Sequence, residues 1–138
     1  MRLLNIHGKL IYKNVGKKRI KWAKKSRSKL QTSVKNFLEQ FWKPHVVFEE
    51  FPVYGTRMAV DFLNATKKIA IEVNGRQHSE FVPFFHGTRL DYFKSIKRDV
   101  QKAEWLELNG YTLIELERKD IDELSLDYIE KLYGISLI

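Results

Sequence analysis

Val34, Phe37, Leu38, Phe41 and Trp42 fall at i, i+3, i+4, i+7 and i+8, the spacing of one helix face, and Pro44 marks the end of that helix. Ser26 or Ser28 stands where a side-chain cap would start it. The pattern then shortens. Val46-Val47-Phe48-Glu49-Glu50-Phe51 is apolar and partly β-branched and predicts a strand closed by Pro52. A turn over residues 52–55 leads to a second strand, Met58-Ala59-Val60, ended by Asp61. Residues 64–68 are turn-like, and residues 69–73 predict a third strand with Glu72 inside it. Residues 76–88 are irregular and aromatic. A helix follows over about residues 91–109 with Gly110 as its C-cap, then a strand over 111–116. Ile121, Leu124, Tyr128, Ile129 and Leu132 form the stripe of a last helix. A three-strand meander followed by a crossover helix and one more strand predicts a single-domain α/β sandwich, its central mixed four-stranded sheet flanked by helices.

Polar residues interrupt this pattern in an ordered way. Strands joined by a turn as tight as 64–68 are antiparallel neighbours, so Asp61 and Glu72 can point at one spot. Either acid alone would be read as a turn residue or a solvated group. Two carboxylates aimed together suit a hard divalent cation such as Mg²⁺, or Mn²⁺, which accepts one or two protein carboxylates and keeps several waters. Gln77-His78 follows Glu72 beyond Gly75, which permits a sharp turn back toward the acids. Ile96, Asp99, Ala103 and Leu106 share a helical face, so Asp99 lies on or beside the stripe that meets the sheet. A carboxylate there needs a partner, which Arg98, Lys102 or His78 could supply. If the partner is His78, Asp99 fixes its tautomer and raises its basicity. Phe81, Phe84, Phe85 and Tyr92 are either core or wedges that stack on bases.

Charge changes the picture further. Residues 1–35 carry twelve Lys or Arg and no acid; the rest carries thirteen Lys or Arg against seventeen Asp or Glu. The net +8 is therefore +12 in the first segment and −4 in the remainder. Such a segment is attracted to polyanions. Residues 1–26 are thus expected to form a basic N-terminal arm, with one strand and a turn at Gly16, ahead of a domain over 27–138. Lys17, Lys18, Arg19, Lys21, Lys24, Lys25 and Arg27, with Arg76, Arg98 and Lys102, are the expected phosphate contacts. With 138 residues and 43% hydrophobic content the chain can bury a real core. It has no cysteine, hence no disulfide or thiolate site. No stretch approaches membrane-spanning length and no signal peptide is evident, so a cytoplasmic protein without a membrane partner is expected.

Asp61, Glu72-Val73-Asn74-Gly75, Gln77-His78 and Arg98-Asp99, in this order of strands and helix, resemble the PD-(D/E)xK nuclease superfamily. The likeness covers about residues 27–117. It is strongest to the branch that holds the very-short-patch mismatch-repair endonucleases and the phage homing endonucleases with an E-D-x-H-D signature. The resemblance implies a restriction-endonuclease-like core and a metal-dependent endonuclease of double-stranded DNA, with no small-molecule cofactor, acting as monomer or homodimer. It favours a freestanding phage homing enzyme, working in the cytoplasm of an infected bacterium, over a repair nuclease for mismatches or branched structures. It implies Asp61 as the main metal ligand, Glu72 and the main chain at Val73 as further ligands, His78 as general base or water-positioning group, Gln77 beside it, and Asp99 as the closing acid. Two positions depart from the pattern. Asn74 stands where the family has lysine, so His78, Gln77 or Lys102 must cover that role, and the missing lysine leaves open a binding module without catalysis. The opening acid position is open between two residues: Gln31 stands near its place, and Glu39 is the acid of that helix.

Overall fold

The computed structural model describes residues 1–74 and 89–138. Gln77 and His78, Arg76, and the aromatic group Phe81, Phe84 and Phe85 lie outside the described residues. The chain begins with a small antiparallel hairpin, β1 (Arg2–Leu4) and β2 (Leu10–Tyr12), and a 3-10 turn at Gly16–Lys18. Helix α1 (Lys29–Trp42) follows, capped by Ser28, whose hydroxyl accepts the Gln31 amide at 3.1 Å. The main sheet is built from β3 (Val47–Pro52), β4 (Ala59–Asn64), β5 (Ile69–Asn74) and, after α2 (Arg89–Leu108), β6 (Thr112–Glu117). Its order is β3-β4-β5-β6, with the first three antiparallel and β6 parallel to β5. Two short helices close the chain, α3 (Arg118–Ile121) and α4 (Leu126–Tyr133). The protein is thus an α/β domain on a four-stranded mixed sheet.

Alternation along the strands divides the core between the two faces. Phe62, Ile69, Ile71, Ile114 and Leu116 pack with Val34, Leu38 and Trp42 of α1 and Ile129 of α4. Val60, Leu63 and Ala70 pack on the other side with Trp105 and Leu106 of α2. The first twenty residues enter both layers: Leu3 and Val15 join the α2 side, Ile20 the α1 side, and Arg19 bridges to Phe48. Phe62 is fully buried in a central strand. Phe62→Ala should therefore cost about 3–5 kcal/mol in urea unfolding, and Leu132→Ala, at a largely exposed position, within about 0.5 kcal/mol.

Three features differ from the sequence pattern. The N-terminal segment has two strands, not one. The last helix is broken. Ser125 caps α4 through the Tyr128 amide, and Asp120 and Glu117 cap α3 reciprocally, so the 121–132 stripe is split by its own capping residues. Asp61 does not end its strand but is third in β4, because the apolar run continues through Phe62 and Leu63.

Strand alternation fails at Asp61. Val60 and Leu63, an odd step apart, share one core, and Phe62 lies in the other. On β3, Glu49 pairs Phe62 and Phe51 pairs Val60, which leaves Glu50 opposite Asp61 with φ +53. A non-glycine residue in that region is strained, and such strain gathers at functional positions.

Candidate active site

The site grows out of that break. The β4–β5 ladder pairs Asn64 with Ile69, Leu63 with Ala70 and Phe62 with Ile71, and goes no further. Beyond it the strands part, and side chains take over the main-chain hydrogen bonds. The Asp61 amide donates to Glu72 Oε2 at 3.1 Å, and the Val73 amide donates to Asp61 Oδ2 at 2.8 Å. Each carboxylate thus satisfies the other strand's N–H, which a buried amide requires. The same exchange forces the two acids together at the fork.

A cavity of about 260 Å³ opens there, lined by Asp61, Glu72 and Val73 of the fork together with Ser95, Asp99 and Lys102 of α2. Arg27, Arg98, Leu113 and Glu115 complete the wall. Lys102 Nζ forms an ion pair with Glu72 Oε1, both side chains being mostly buried. Arg27 Nη2 stands 3.5 Å from Asp61 Oδ1, and its Nε 3.4 Å from Glu50 Oε1. Burial pushes the Asp61 carboxyl up to about 7, and the neighbouring Glu72 charge adds to the rise. The Val73 hydrogen bond and Lys102 oppose it without cancelling it. Each acid has one cationic neighbour, Arg27 for Asp61 and Lys102 for Glu72, and the pair presents carboxylate oxygens of the kind a hard divalent cation accepts.

A second polar group supports the first. Gln31 is buried, and its Nε2 donates to Glu49 Oε2 at 2.9 Å and Glu50 Oε1 at 3.0 Å. Lys35, also buried, contacts Glu49 Oε1 at 2.8 Å and donates to the Lys24 carbonyl at 2.7 Å. Ser26 Oγ hydrogen-bonds to Glu49. A buried ammonium is tolerated only with partners of this kind. The chain of contacts runs from Lys35 through Glu49, Gln31, Glu50 and Arg27 to Asp61. Gln31, not Glu39, enters this network.

The basic residues gather beside it. Lys17, Lys18, Arg19, Lys21, Lys24 and Lys25 line a hollow of about 280 Å³ that also reaches Arg27, Lys35, Glu49 and Glu50. All six are exposed.

The structure therefore brings together Asp61, Glu72, Val73, Asp99, Arg98, Lys102 and Arg27 of the residues singled out from sequence, and collects the six cations in the adjoining hollow. Glu115, Glu49 and Glu50 were not foreseen. Glu115 lies beside Glu72 in the β5–β6 register, and only the parallel pairing of distant strands places it there. The other two carried a signal: successive acids inside an apolar strand. No group of three or more His, Asp or Glu side chains suited to a metal occurs among the described residues. No helix of the described residues is long and apolar enough to cross a membrane.

Comparison with known proteins gives two viral relatives. Uncharacterized protein 033L of Invertebrate iridescent virus 3 is 31% identical over 94 residues, 64% of this chain and 48% of that protein. Uncharacterized protein 094L of Frog virus 3 is 39% identical over 74 residues, 51% of this chain and 48% of that protein. The chain spans about half the length of the curated relatives it matches. No family model matches the chain. No solved structure matches it.

Proposed function

We propose that the chain is a divalent-metal-dependent endonuclease of double-stranded DNA, with the restriction-endonuclease-like core of the superfamily it resembles. The convergence of Asp61 and Glu72 at a strand fork, beside a hollow lined by six cations, carries this reading. Asp61, Glu72 and the main chain at Val73 would hold Mg²⁺ or Mn²⁺, hard ions suited to an all-oxygen set. Such an ion, when bound, polarises the phosphate and lowers the pKa of a bound water. Lys102, already beside Glu72, takes the role left open by Asn74 and sets a positive charge where the cleaved phosphate would lie. The six cations and Arg98 hold backbone phosphates. Two viral relatives suit a nuclease carried by a virus, and a freestanding homing enzyme in the cytoplasm of an infected cell is the form proposed.

A cleavage assay in Mg²⁺ on duplex, branched and single-stranded DNA, with Asp61→Asn as control, tests the reading. Tight binding without Asp61-dependent cleavage of any of them would reassign the chain as a binding module. Cleavage confined to branched DNA would make it a structure-specific nuclease.

His78 is proposed as the group that takes or guides the proton of the attacking water, oriented by Asp99, which lines the same cavity. His78→Ala should then slow cleavage by about 10²-fold or more. Asp99→Asn should slow it somewhat less, and the double variant should be little worse than His78→Ala, because coupled residues are non-additive. Rate losses that multiply, with a lowered melting temperature for Asp99→Asn, would instead make Asp99 a structural ion-pair partner of Arg98 or Lys102.

A further inference from the structure

We propose that Arg27 is a latch shared by the two hollows: it shields the carboxylate pair from divalent cations until nucleic-acid phosphate enters the basic hollow and draws it away. Arg27 can act so only if the pair holds a cation, as proposed above.

Arg27 lines both cavities. Its guanidinium reaches Glu50 at 3.4 Å and Asp61 at 3.5 Å, the long end of ion-pair range. The two ends of the Arg27–Asp61 pair differ sharply in exposure, 72% for the arginine side chain and 7% for the aspartate. A pair open to solvent on one side is weakly held and easily exchanged. The main chain around it is pinned. The Ser26 amide donates to Thr32 Oγ1 at 3.0 Å, Ser26 Oγ is bonded to Glu49, and Ser28 caps α1. Movement is therefore left to the arginine side chain.

Competition between ligands favours release. In the protein alone the guanidinium makes single, long contacts to each acid. A phosphate offers two oxygens in the plane of the guanidinium fork, and such bidentate, charge-assisted contacts are shorter and stronger. The exposed lysines of the hollow would bring that phosphate within reach of Arg27. Once Arg27 turns to it, Asp61 loses a positive neighbour and its oxygen is open to a cation. Phosphate and cation then favour one another, and by linkage the coupling works in both directions. The consequence is economy of chemistry: the cation is taken up chiefly where a nucleic-acid backbone is present.

The test is Mn²⁺ affinity of the full chain by titration calorimetry, without nucleic acid and then with a phosphorothioate duplex that resists cleavage. Without duplex, Arg27→Ala should tighten Mn²⁺ binding by about 5–10-fold, the lower end of usual site-to-site coupling. Lys25→Ala removes the same charge from the same hollow but not the contact to Asp61, and should change it less than about 2-fold. Adding duplex should tighten Mn²⁺ binding in the parent by about 5–10-fold more than in Arg27→Ala. Equal effects of Arg27→Ala and Lys25→Ala, or none from either, would overturn the latch and show that net charge alone acts. If Mn²⁺ binding is lost in Asp61→Asn yet indifferent to Arg27→Ala, the latch fails and the nuclease reading stands. If the parent shows no Asp61-dependent Mn²⁺ binding even with duplex, both fail together.

Discussion

Asp61→Asn should reduce Mg²⁺-dependent cleavage to background and, above neutral pH, raise the melting temperature of the protein. The two effects come from one carboxylate. Asn keeps an oxygen to accept the Val73 amide but lacks the charge that would hold a cation. The stability effect follows from the upward shift of the Asp61 carboxyl, from 3.8 to about 7. Between those values the folded protein binds a proton that the unfolded chain has released, so stability falls as pH rises from about 4 to about 7 and stays low beyond it. The Asn variant lacks this fall. Its advantage at pH 8 is bounded by about 4 kcal/mol, and a gain of about 1–2 kcal/mol, or a few degrees, is expected once the lost ion pair with Arg27 and the burial of the Asn amide are allowed for. Melting curves of both proteins from pH 4 to pH 8 measure it; an Asn variant less stable than the parent at pH 8 would mean that the ionised carboxylate is well compensated. Asp61→Ala is the poorer probe. Asp61 is buried, and Ala strands the Val73 amide at a cost of about 1–3 kcal/mol, so lost cleavage would mix with lost structure.

Replacing Lys17, Lys18, Arg19, Lys21, Lys24 and Lys25 together by Gln should weaken DNA binding for every sequence and flatten its salt dependence. Each phosphate contact contributes about 0.9 to the slope of log affinity against log salt, so six lost contacts lower the slope by about five. An unchanged slope would show that the hollow does not meet phosphate. Deleting residues 1–25 does not isolate this effect, because Leu3, Val15 and Ile20 are buried in the two cores and would go with the charges. The six side chains are exposed, so their replacement leaves those cores intact.

The parts of the fold legible in the sequence are those governed by one period at a time. Helix α1 follows from its apolar stripe and Ser28, and strands β3, β5 and β6 from short apolar runs between turn residues. The convergence of Asp61 and Glu72 followed from the tight turn between their strands. The split of the last helix was missed because apolar spacing outweighed the capping signals at Ser125 and Asp120, although both were visible. The change of face at Asp61 was not legible, since it depends on Glu50 across the sheet adopting a left-handed conformation. Long-range polar partners were the hardest to foresee. Lys35 and Gln31 look like surface residues of a helix until Glu49 and Glu50 are placed beneath them.

The fork between β4 and β5 has a consequence for descent. Because the Asp61 amide leans on Glu72 and the Val73 amide on Asp61, a change at either acid is felt first on the opposite strand. Neither position can lose its side-chain oxygen without leaving a donor stranded. A descendant that abandoned chemistry would still be held to oxygen-bearing side chains at both places. In a lineage of this protein, retention of an acceptor oxygen at the two places would therefore record the mechanics of the sheet, and retention of the charge the demands of a substrate.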